Sequence, residues 1–325
     1  VELSSTPGIA DSSNATAITI DSSENTTFAG QIHLSSTDPI VKFTDTAGGD
    51  TFGIFGSASD FLGFYNFSDS RTDMAIDGSG NLGIGNLPLA TGTGQMSIRV
   101  GASGLINAHS GSASSGQVMG FSQNAHYDTD DSWEAISTAA ATNYYQGSGT
   151  HYFRVAASTS AGADITWINA MTIDSDGHVT TPLQSAFSAY TSAQNLNIPT
   201  DASAITVAFG AEYFDQNSDF NTSTYTFTAP VTGKYQLVTN LYVNDADMDA
   251  QYIRIRIATS NRNYDQLYDP RVFDTDPTRY NFHSSVLADM DASDTAVIQI
   301  SQYEGTAQMD VPVSVVNNFS GYLVA

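Results

Sequence analysis

Short segments in which apolar and polar residues alternate, each ended by glycine, aspartate, asparagine or serine, constrain the fold of this chain more than any other feature. In Tyr252–Ile257 the three isoleucines fall on one face of an extended strand and the two arginines fall on the other. An apolar period of 3.6 residues is not sustained anywhere, and we expect only one short helix, in the alanine-rich run 136–145. The chain is therefore predicted to be all-β.

The composition favours strands and turns over helices. With 16 Tyr, 17 Phe, 26 Gly and 41% hydrophobic residues, the chain can supply both β-sheet cores and tight turns. Lys42 and Lys234 are the only lysines, so helices stabilised by Glu–Lys pairs are not available. The length of 325 residues predicts two or three domains.

The formal net charge of −24 excludes several classes of partner. Nucleic acids and anionic membrane surfaces are bound by clusters of Lys and Arg, and the sequence has no such cluster. No run of 18 apolar residues is present, so no membrane insertion is expected. The absence of Cys excludes disulfides and thiolate zinc sites.

A short phrase recurs three times and divides the chain into modules. It consists of an apolar residue, any residue, Ile and Asp, followed by small turn residues and then Asn or His. The phrase predicts a strand that runs into a tight turn, and its unequal spacing excludes a solenoid of constant period. Its copies occupy 18–25, 74–81 and 171–178. The modules predicted from them are 1–90, 91–181 and 182–325.

The first two modules are predicted to pack differently. Residues 1–90 contain short strands interrupted by glycine, which cannot easily bury a core alone. We therefore expect a shaft in which neighbouring chains complete the sheets. Residues 91–181 contain both tryptophans, Trp133 and Trp167, and are predicted to form a small β-sandwich.

The C-terminal module is predicted to be a sandwich or jelly roll. Besides Tyr252–Ile257, the strand that contains Tyr235 and Val243 also places its apolar residues on one face. About eight strands divided by turns are typical of a two-sheet domain. The further predicted strands are 205–209, 224–228, 286–288, 296–303 and 319–324.

Four motifs follow one another in this module. They are the opening strand Ala186–Ala189, the aromatic, Pro and Gly stretch Tyr225–Tyr235, the paired strands of Leu287–Val297 and the closing strand Asn318–Leu323. Their order resembles the jelly-roll domain of the complement q-head and tumour-necrosis-factor-like family. Ala229 stands where that family usually has Cys, and the family's collagen stalk is missing. The resemblance implies a jelly-roll head and a homotrimer.

The upstream part of the chain has a second resemblance. The phrases Met74–Gly85 and Met171–Val179, together with the stretch Thr150–Met171, are similar to linkers of bacteriophage fibre proteins. This similarity implies an extracellular virion fibre, on tail or capsid. Its N-terminal region would attach to other virion proteins, and its head would lie at the other end.

The segment 261–280, predicted as a long loop between head strands, contains the candidate receptor contacts. Tyr and Arg are enriched at recognition surfaces, and long loops in compact domains are commonly functional. The same side chains could equally hold the trimer together. The candidates are Arg262, Tyr264, Tyr268, Arg271, Arg279 and Tyr280.

Asp245, Asp247 and Asp249 are the candidate metal ligands, and calcium is the only cofactor considered. Alternating carboxylates in a loop can ligate calcium, but a solvated acidic loop is the alternative because the glycine and bidentate Glu of an EF-hand are missing. Gly78–Gly83 matches the G-x-G-x-x-G dinucleotide fingerprint. The residues that follow it cannot begin the required helix, so we predict a hairpin turn there.

The chain is predicted not to be an enzyme, because neither an H-E-x-x-H nor a G-x-S-x-G motif is present. The leading hypothesis is a trimeric virion fibre whose C-terminal head binds a host surface glycan or protein. One alternative is a structural capsid or tail decoration without a specific receptor. The other is a polysaccharide depolymerase, which would need two carboxylates about 5–9 Å apart.

Overall fold

A computed structural model describes residues 18–20, 22–23, 25–28, 31–57, 60–92, 94–109 and 118–325. These residues form 27 strands and one short 3-10 helix, which confirms the all-β prediction. The short helix expected in 136–145 is wrong: Ala139–Gly147 is a strand that pairs on both sides. The chain divides into two compact units, Val1–Val179 and Thr180–Ala325.

The first unit is built around one sheet of twelve strands. The order across the sheet is β16-β15-β14-β13-β10-β9-β8-β7-β6-β5-β4-β3. The strands of this unit are β1 Ile18–Ile20, β2 Thr26–Phe28, β3 Ile40–Thr44, β4 Thr51–Ser57, β5 Phe61–Asn66, β6 Arg71–Asp77, β7 Leu82–Ile84, β8 Gln95–Val100, β9 Gly104–His109, β10 Val118–Gln123, β11 Ala125–Tyr127, β12 Trp133–Ala135, β13 Ala139–Gly147, β14 Thr150–Thr159, β15 Ile168–Ile173 and β16 Val179–Thr180.

This sheet passes without a break through the predicted module boundary at position 90. Most neighbouring strands in it are antiparallel, but β7 and β8 pair in parallel, with Leu82 opposite Ile98. The sheet therefore joins the shaft predicted for 1–90 to the region in which a sandwich was predicted. Within 91–181, the second layer consists of the hairpin β11–β12, which packs small side chains such as Ala125 and Ala135 against Ala141 and Ala156 of the sheet.

The recurring phrase forms the predicted turn at both copies whose turns are described. The Asp77 carboxylate accepts hydrogen bonds from the backbone N–H groups of Ser79 and Asn81, each at 2.9 Å. The Asp174 carboxylate does the same for Asp176 and His178, also at 2.9 Å. An aspartate that caps its own turn in this way ends the preceding strand. The Asp of the first copy, Asp21, lies outside the described residues.

The second unit is a jelly-roll sandwich of two antiparallel sheets. One sheet has the order β19-β17-β27-β22-β25, and the other has β20-β21-β26-β23-β24 with β18 paired to β26. The elements of this unit are β17 Ala186–Tyr190, β18 Ile205–Thr206, β19 Ala211–Asp215, β20 Phe220–Asn221, β21 Thr226–Thr228, β22 Gly233–Asn244, β23 Tyr252–Thr259, β24 Asn263–Tyr268, the 3-10 helix Pro270–Val272, β25 Arg279–Met290, β26 Thr295–Tyr303 and β27 Asn318–Leu323.

The core of this sandwich lies between the two sheets and follows the predicted alternation. Along β23, Ile253, Ile255 and Ile257 are fully buried, and along β22 so are Tyr235 and Leu237. Full burial of each aliphatic side chain contributes about 1.5–3 kcal/mol. The two strands come from different sheets, so their inward faces close the core between them.

In the described parts of the chain, no helix is both long and apolar enough to cross a membrane.

Candidate functional site

The segment predicted as a long loop, 261–280, is in fact largely ordered secondary structure. It contains β24, the 3-10 helix Pro270–Val272 and the start of β25. Strand β24 forms because it pairs with β23 along its whole length, with Ile257 opposite Tyr264 and Ile253 opposite Tyr268. The candidate side chains are therefore carried on an edge strand and a short helix, which fix their positions.

Two of the six candidates line a cavity of about 100 Å³ at this edge of the head. Tyr268 and Tyr280 both pack on the ring of Phe282, with centroids 4.6 and 4.9 Å apart. Phe273 meets Tyr280 edge-on at 5.1 Å. Burial raises the pKa of the Tyr268 hydroxyl, which donates a hydrogen bond to the His283 carbonyl. The cavity is lined by Ala246, Ile253, Tyr268, Asp269, Pro270, Val272, Phe273, Tyr280 and Phe282.

The 3-10 helix places a charged pair and an exposed apolar side chain at the rim of this cavity. The guanidinium of Arg271 donates to the Asp269 carboxylate at 2.8 and 2.9 Å, and this holds the pKa of Asp269 below its ordinary value. Val272, next to the pair, is 75% exposed. A rim that presents a cation, an anion and an exposed apolar group is chemically suited to contact a partner.

The other three candidates are not part of the cavity. Arg262 and Tyr264 lie at the far end of β24, where the guanidinium is 6.0 Å from the ring centroid. Tyr264 lies four positions before Tyr268 on the strand, which is a distance of about 13 Å. Arg279 precedes Tyr280 on β25, so its side chain points to the opposite face of the strand. The structure thus brings together Tyr268, Arg271 and Tyr280.

The Asp247 carboxylate connects two loops through hydrogen bonds to their backbone. Its side chain is buried, and its carboxylate accepts backbone hydrogen bonds from Asp249 at 2.8 Å and from Ala307 at 2.7 Å. The Asp249 carboxylate accepts from the Thr306 hydroxyl, and Asp245 is exposed. Among the described residues, no three His, Cys, Asp or Glu side chains are grouped to hold a metal ion. The calcium site therefore stays a prediction, and the Asp247 carboxylate already has protein donors.

A second surface in the first unit was not predicted as a site. One face of the twelve-stranded sheet carries large apolar side chains along its whole width, and we call it the apolar face. The pairing register places these residues on one side, as in the pairs Phe43–Phe52, Leu62–Ile76 and Ile84–Val100. Its most exposed members are Val41, Phe43, Phe52, Leu62, Phe64, Ile76, Ile84, Met96, Ile98, Val100, Met119, Phe121, Phe153, Val155 and Ile168, which are 36–58% exposed.

The apolar face is almost free of charge. In the described strands, the acidic or basic side chains on or beside it are His151 and the pair Arg71–Asp73, which are 2.6 Å apart at one end of β6. The fifteen exposed side chains leave on the order of 1,000 Å² of apolar surface in contact with solvent. The largest apolar patch on a typical monomer is only about 300–600 Å². A patch of this size is typical of a surface that another molecule contacts.

The opposite face of the same sheet covers its own aromatic side chains. There, Phe55 lies over Gly63, where a Cβ atom would come within 2.4 Å of the ring. Phe55 also packs edge-on against Phe61 and Tyr65, at 5.5 and 5.8 Å. The glycine therefore gives an aromatic ring room to lie flat on the sheet. On this face Ile40, which lies opposite Phe55, is also 43% exposed, but the apolar face exposes many more large apolar side chains.

No family model and no curated protein matches this chain. Among solved structures, the chain is similar to the globular domain of the zebrafish complement 1qA protein, with 16% identity over 44% of this chain and 98% of that one, at a TM-score of 0.32. It is also similar to Eiger TNF from S. frugiperda, with 11% identity over 44% and 92%, at 0.29.

A third similar structure is the exo-beta-1,3-galactanase from Phanerochaete chrysosporium, with 11% identity over 91% of this chain and 71% of that one, at a TM-score of 0.20. All three TM-scores are low, so these likenesses carry no argument about function. The sandwich fold of the second unit follows from its own two sheets.

Proposed function

We propose that the protein is a non-catalytic, self-assembling fibre protein of a virion that works as a homotrimer, and that its head contacts a host surface molecule. The observation that carries the proposal is the apolar face of the first unit. A chain with a net charge of −24 repels its own copies except where they meet through uncharged surface. The apolar face offers such a surface across twelve strands.

The size of the apolar face fits contact between whole chains. A stable protein–protein interface buries about 800 Å² per partner, and the face exposes somewhat more than that. A closed assembly is expected because a ring of identical copies leaves no uncovered face. Three copies is the number implied by the resemblance to fibres and to jelly-roll heads.

The assembly is tested by placing a charge in the middle of the apolar face. Phe121, in the central strand β10, is 43% exposed, so Phe121→Asp should not disturb a core but should place a desolvated charge in the interface. We expect the wild-type chain to sediment at three times its mass of 34.5 kDa and the Phe121→Asp variant to sediment at the mass of one chain. A wild-type monomer at micromolar concentration would contradict the proposal.

Neighbouring residues of β15 provide a matched control. Ile168 lies on the apolar face opposite Val155, whereas Asn169 is exposed on the other face opposite Arg154. Ile168→Asp and Asn169→Asp introduce the same charge one residue apart. Only Ile168→Asp should weaken the assembly; equal effects would mean that charge alone, and not the face, governs association.

The receptor contact is proposed for the rim formed by Asp269, Arg271 and Val272, beside the cavity lined by Tyr268 and Tyr280. The supporting observation is a 3-10 helix turn that leaves Val272 three-quarters exposed next to an aromatic cavity. Val272→Asp in the full chain should abolish competition with virions for host cells. Val315→Asp, at another strongly exposed valine of the head, is the control that should retain competition.

Two further measurements distinguish the alternatives. If the protein only decorates the particle, virions that lack 180–325 should still adsorb to host cells, which would contradict a receptor-binding head. If it cleaves host polysaccharide, incubation should release reducing ends, which would contradict a non-catalytic role. We expect loss of adsorption in the first experiment and no reducing ends in the second.

A further inference from the structure

The sheet face opposite the apolar face contains a pocket of about 280 Å³. It lies where the hairpin β11–β12 meets strands β8, β9, β10 and β13. We call it the aromatic pocket, and its lining residues are Gln95, Asn107, Val118, Tyr127, Trp133 and Tyr145. Its three rings are half-buried, so each keeps part of its surface towards solvent.

The aromatic side chains of the pocket are held in place by contacts with one another and with Arg154. Tyr127 and Trp133 meet at 5.7 Å with their planes 75° apart. The guanidinium of Arg154 lies 4.1 Å from the ring centroid of Tyr145 and 5.5 Å from that of Trp133. Arg154 is itself fixed by two hydrogen bonds to the Asn143 side-chain oxygen, at 3.0 and 2.8 Å. These contacts preorganise the rings before any ligand arrives.

Two side-chain amides in the pocket have acceptors without partners. The Oε1 atom of Gln95 and the Oδ1 atom of Asn107 are buried and accept no hydrogen bond from the residues that the structure describes. Asn107 as a whole is only 2% exposed. A buried acceptor without a donor is energetically costly, so such groups usually serve a ligand or hold a water molecule. Among the side chains that the structure describes, none that lines the pocket is acidic or basic.

We propose that the aromatic pocket binds a neutral saccharide. The faces of aromatic rings are electron-rich and attract the weakly positive C–H groups of a sugar ring. The hydroxyl groups of the same sugar can donate to Gln95 and Asn107, which an apolar ligand cannot do. An anionic sugar would find no cation among the described lining residues. The volume lies near the lower limit of small-ligand pockets, about 300 Å³, which fits one or two sugar rings.

This inference does not rest on the proposed assembly and goes beyond the proposed head contact. The pocket lies on the side of the sheet that copies packed through the apolar face would leave free. It also lies in the first unit, whereas the proposed receptor rim lies in the second. Loss of saccharide binding is therefore distinguishable from loss of assembly by mass and from loss of the head contact by Val272→Asp.

The chain offers a direct optical probe of the pocket. Its only two tryptophans are Trp133, which lines the pocket, and Trp167, whose ring centroid is 5.8 Å from that of Trp133. Titration of the full chain with methyl glycosides of glucose, galactose and N-acetylglucosamine should change tryptophan emission for at least one of them. Tighter binding of a polysaccharide built from the same sugar would identify a surface glycan rather than a free sugar as the ligand.

Two variants test whether the side-chain amides of Gln95 and Asn107 bind the saccharide. Gln95→Met and Asn107→Ala each remove one acceptor, and each should weaken binding about tenfold while the melting temperature stays near that of the wild type. Gln123→Met, the same change at an exposed amide on the opposite face, should bind normally. If Asn107→Ala fails to fold, Gln95→Met at the half-buried position still tests the proposal.

Three results would overturn the saccharide site. One is unchanged tryptophan emission with every glycoside and polysaccharide up to about 50 mM sugar, a concentration that would nearly saturate a site with a Kd of about 1 mM. Another is wild-type affinity in Gln95→Met. The third is an emission change with adenosine but with no sugar, which would assign the rings to base stacking.

Discussion

At the scale of single residues, position 305 has a strict requirement for glycine, because it lies against the Asp247 carboxylate. Gly305 has a φ of +105°, and a Cβ atom there would lie 2.4 Å from the Asp247 carboxylate oxygen. That carboxylate clamps two loops through backbone hydrogen bonds. Gly305→Ala should therefore lower the free energy of unfolding by about 2 kcal/mol or more, through strain and loss of the clamp. Urea denaturation measures it, and a loss below about 0.5 kcal/mol would contradict this account.

The pair Arg256–Asp265 predicts a pH dependence. The guanidinium of Arg256 donates to Asp265 at 2.5 and 3.0 Å, and this hydrogen bond, reinforced by charge, holds the Asp265 pKa below its ordinary value of 3.8. A carboxylate whose pKa is depressed on folding contributes stability above the unfolded-state value, and that stability is lost as the pH falls through the folded-state pKa. The contribution is about 1 kcal/mol or less, because Asp265 is partly exposed.

The measurement compares the wild type with Asp265→Asn by urea denaturation at about pH 5 and about pH 3, a range that brackets the ordinary aspartate pKa. The other acidic groups titrate in both proteins, so their effect cancels in the difference. The wild type should lose more stability than the variant over this range. An equal loss would mean that the pair does not stabilise the folded state.

At the scale of elements, the position of a strand in its sheet decides how much a leucine contributes to the free energy of unfolding. Leu237 on β22 is fully buried, whereas Leu267 on the edge strand β24 is 60% exposed. Leu237→Ala should lower the free energy of unfolding by about 3 kcal/mol, from lost burial and a residual cavity. Leu267→Ala, the same change in the same unit, should stay within about 0.5 kcal/mol. Chemical denaturation of both variants tests whether β22 lies in the core as the register requires.

Strands whose apolar and polar residues alternate could be predicted from the sequence. Strands that form only because they pair with other strands could not. Strands β22 and β23 alternate strictly and were predicted with the correct inward faces. The run 136–145 contains alanines that favour a helix locally, but pairing with β10 and β14 makes it an interior strand. Strand β24 was assigned to a loop because its sequence has no clear apolar period of two, and its pairing with β23 is what makes it a strand.

The same limit applies to the sites. Tyr268, Arg271 and Tyr280 could be named from residue type, but Phe273 and Phe282 join them only through the fold of the head. The apolar face was hidden because strands such as β4 carry aromatic residues on both sides, Phe52 on one and Phe55 on the other. Only the register across twelve strands shows that one side stays uncovered. A single strand read alone does not contain that information.

At the scale of the whole molecule, the two units differ in how much apolar surface each buries within itself. The second unit has a closed core of its own, whereas the first buries little between its layers and leaves its largest apolar surface in solvent. A unit built in this way gains much of its stability only when another surface covers it. We therefore expect association and the stability of the first unit to be linked, so that its melting temperature rises with protein concentration.

The acidity of the chain then predicts how salt acts on the assembly. Each copy brings a net charge of −24, and the face through which the copies are proposed to meet carries almost none of it. Salt shortens the range of repulsion, from about 10 Å at 0.1 M to about 3 Å at 1 M, and leaves apolar contact intact. Raising NaCl should therefore strengthen association, measured as a lower dissociation constant in sedimentation equilibrium. If salt instead dissociates the copies, ion pairs hold them together, and the contact lies on a charged surface rather than on the apolar face.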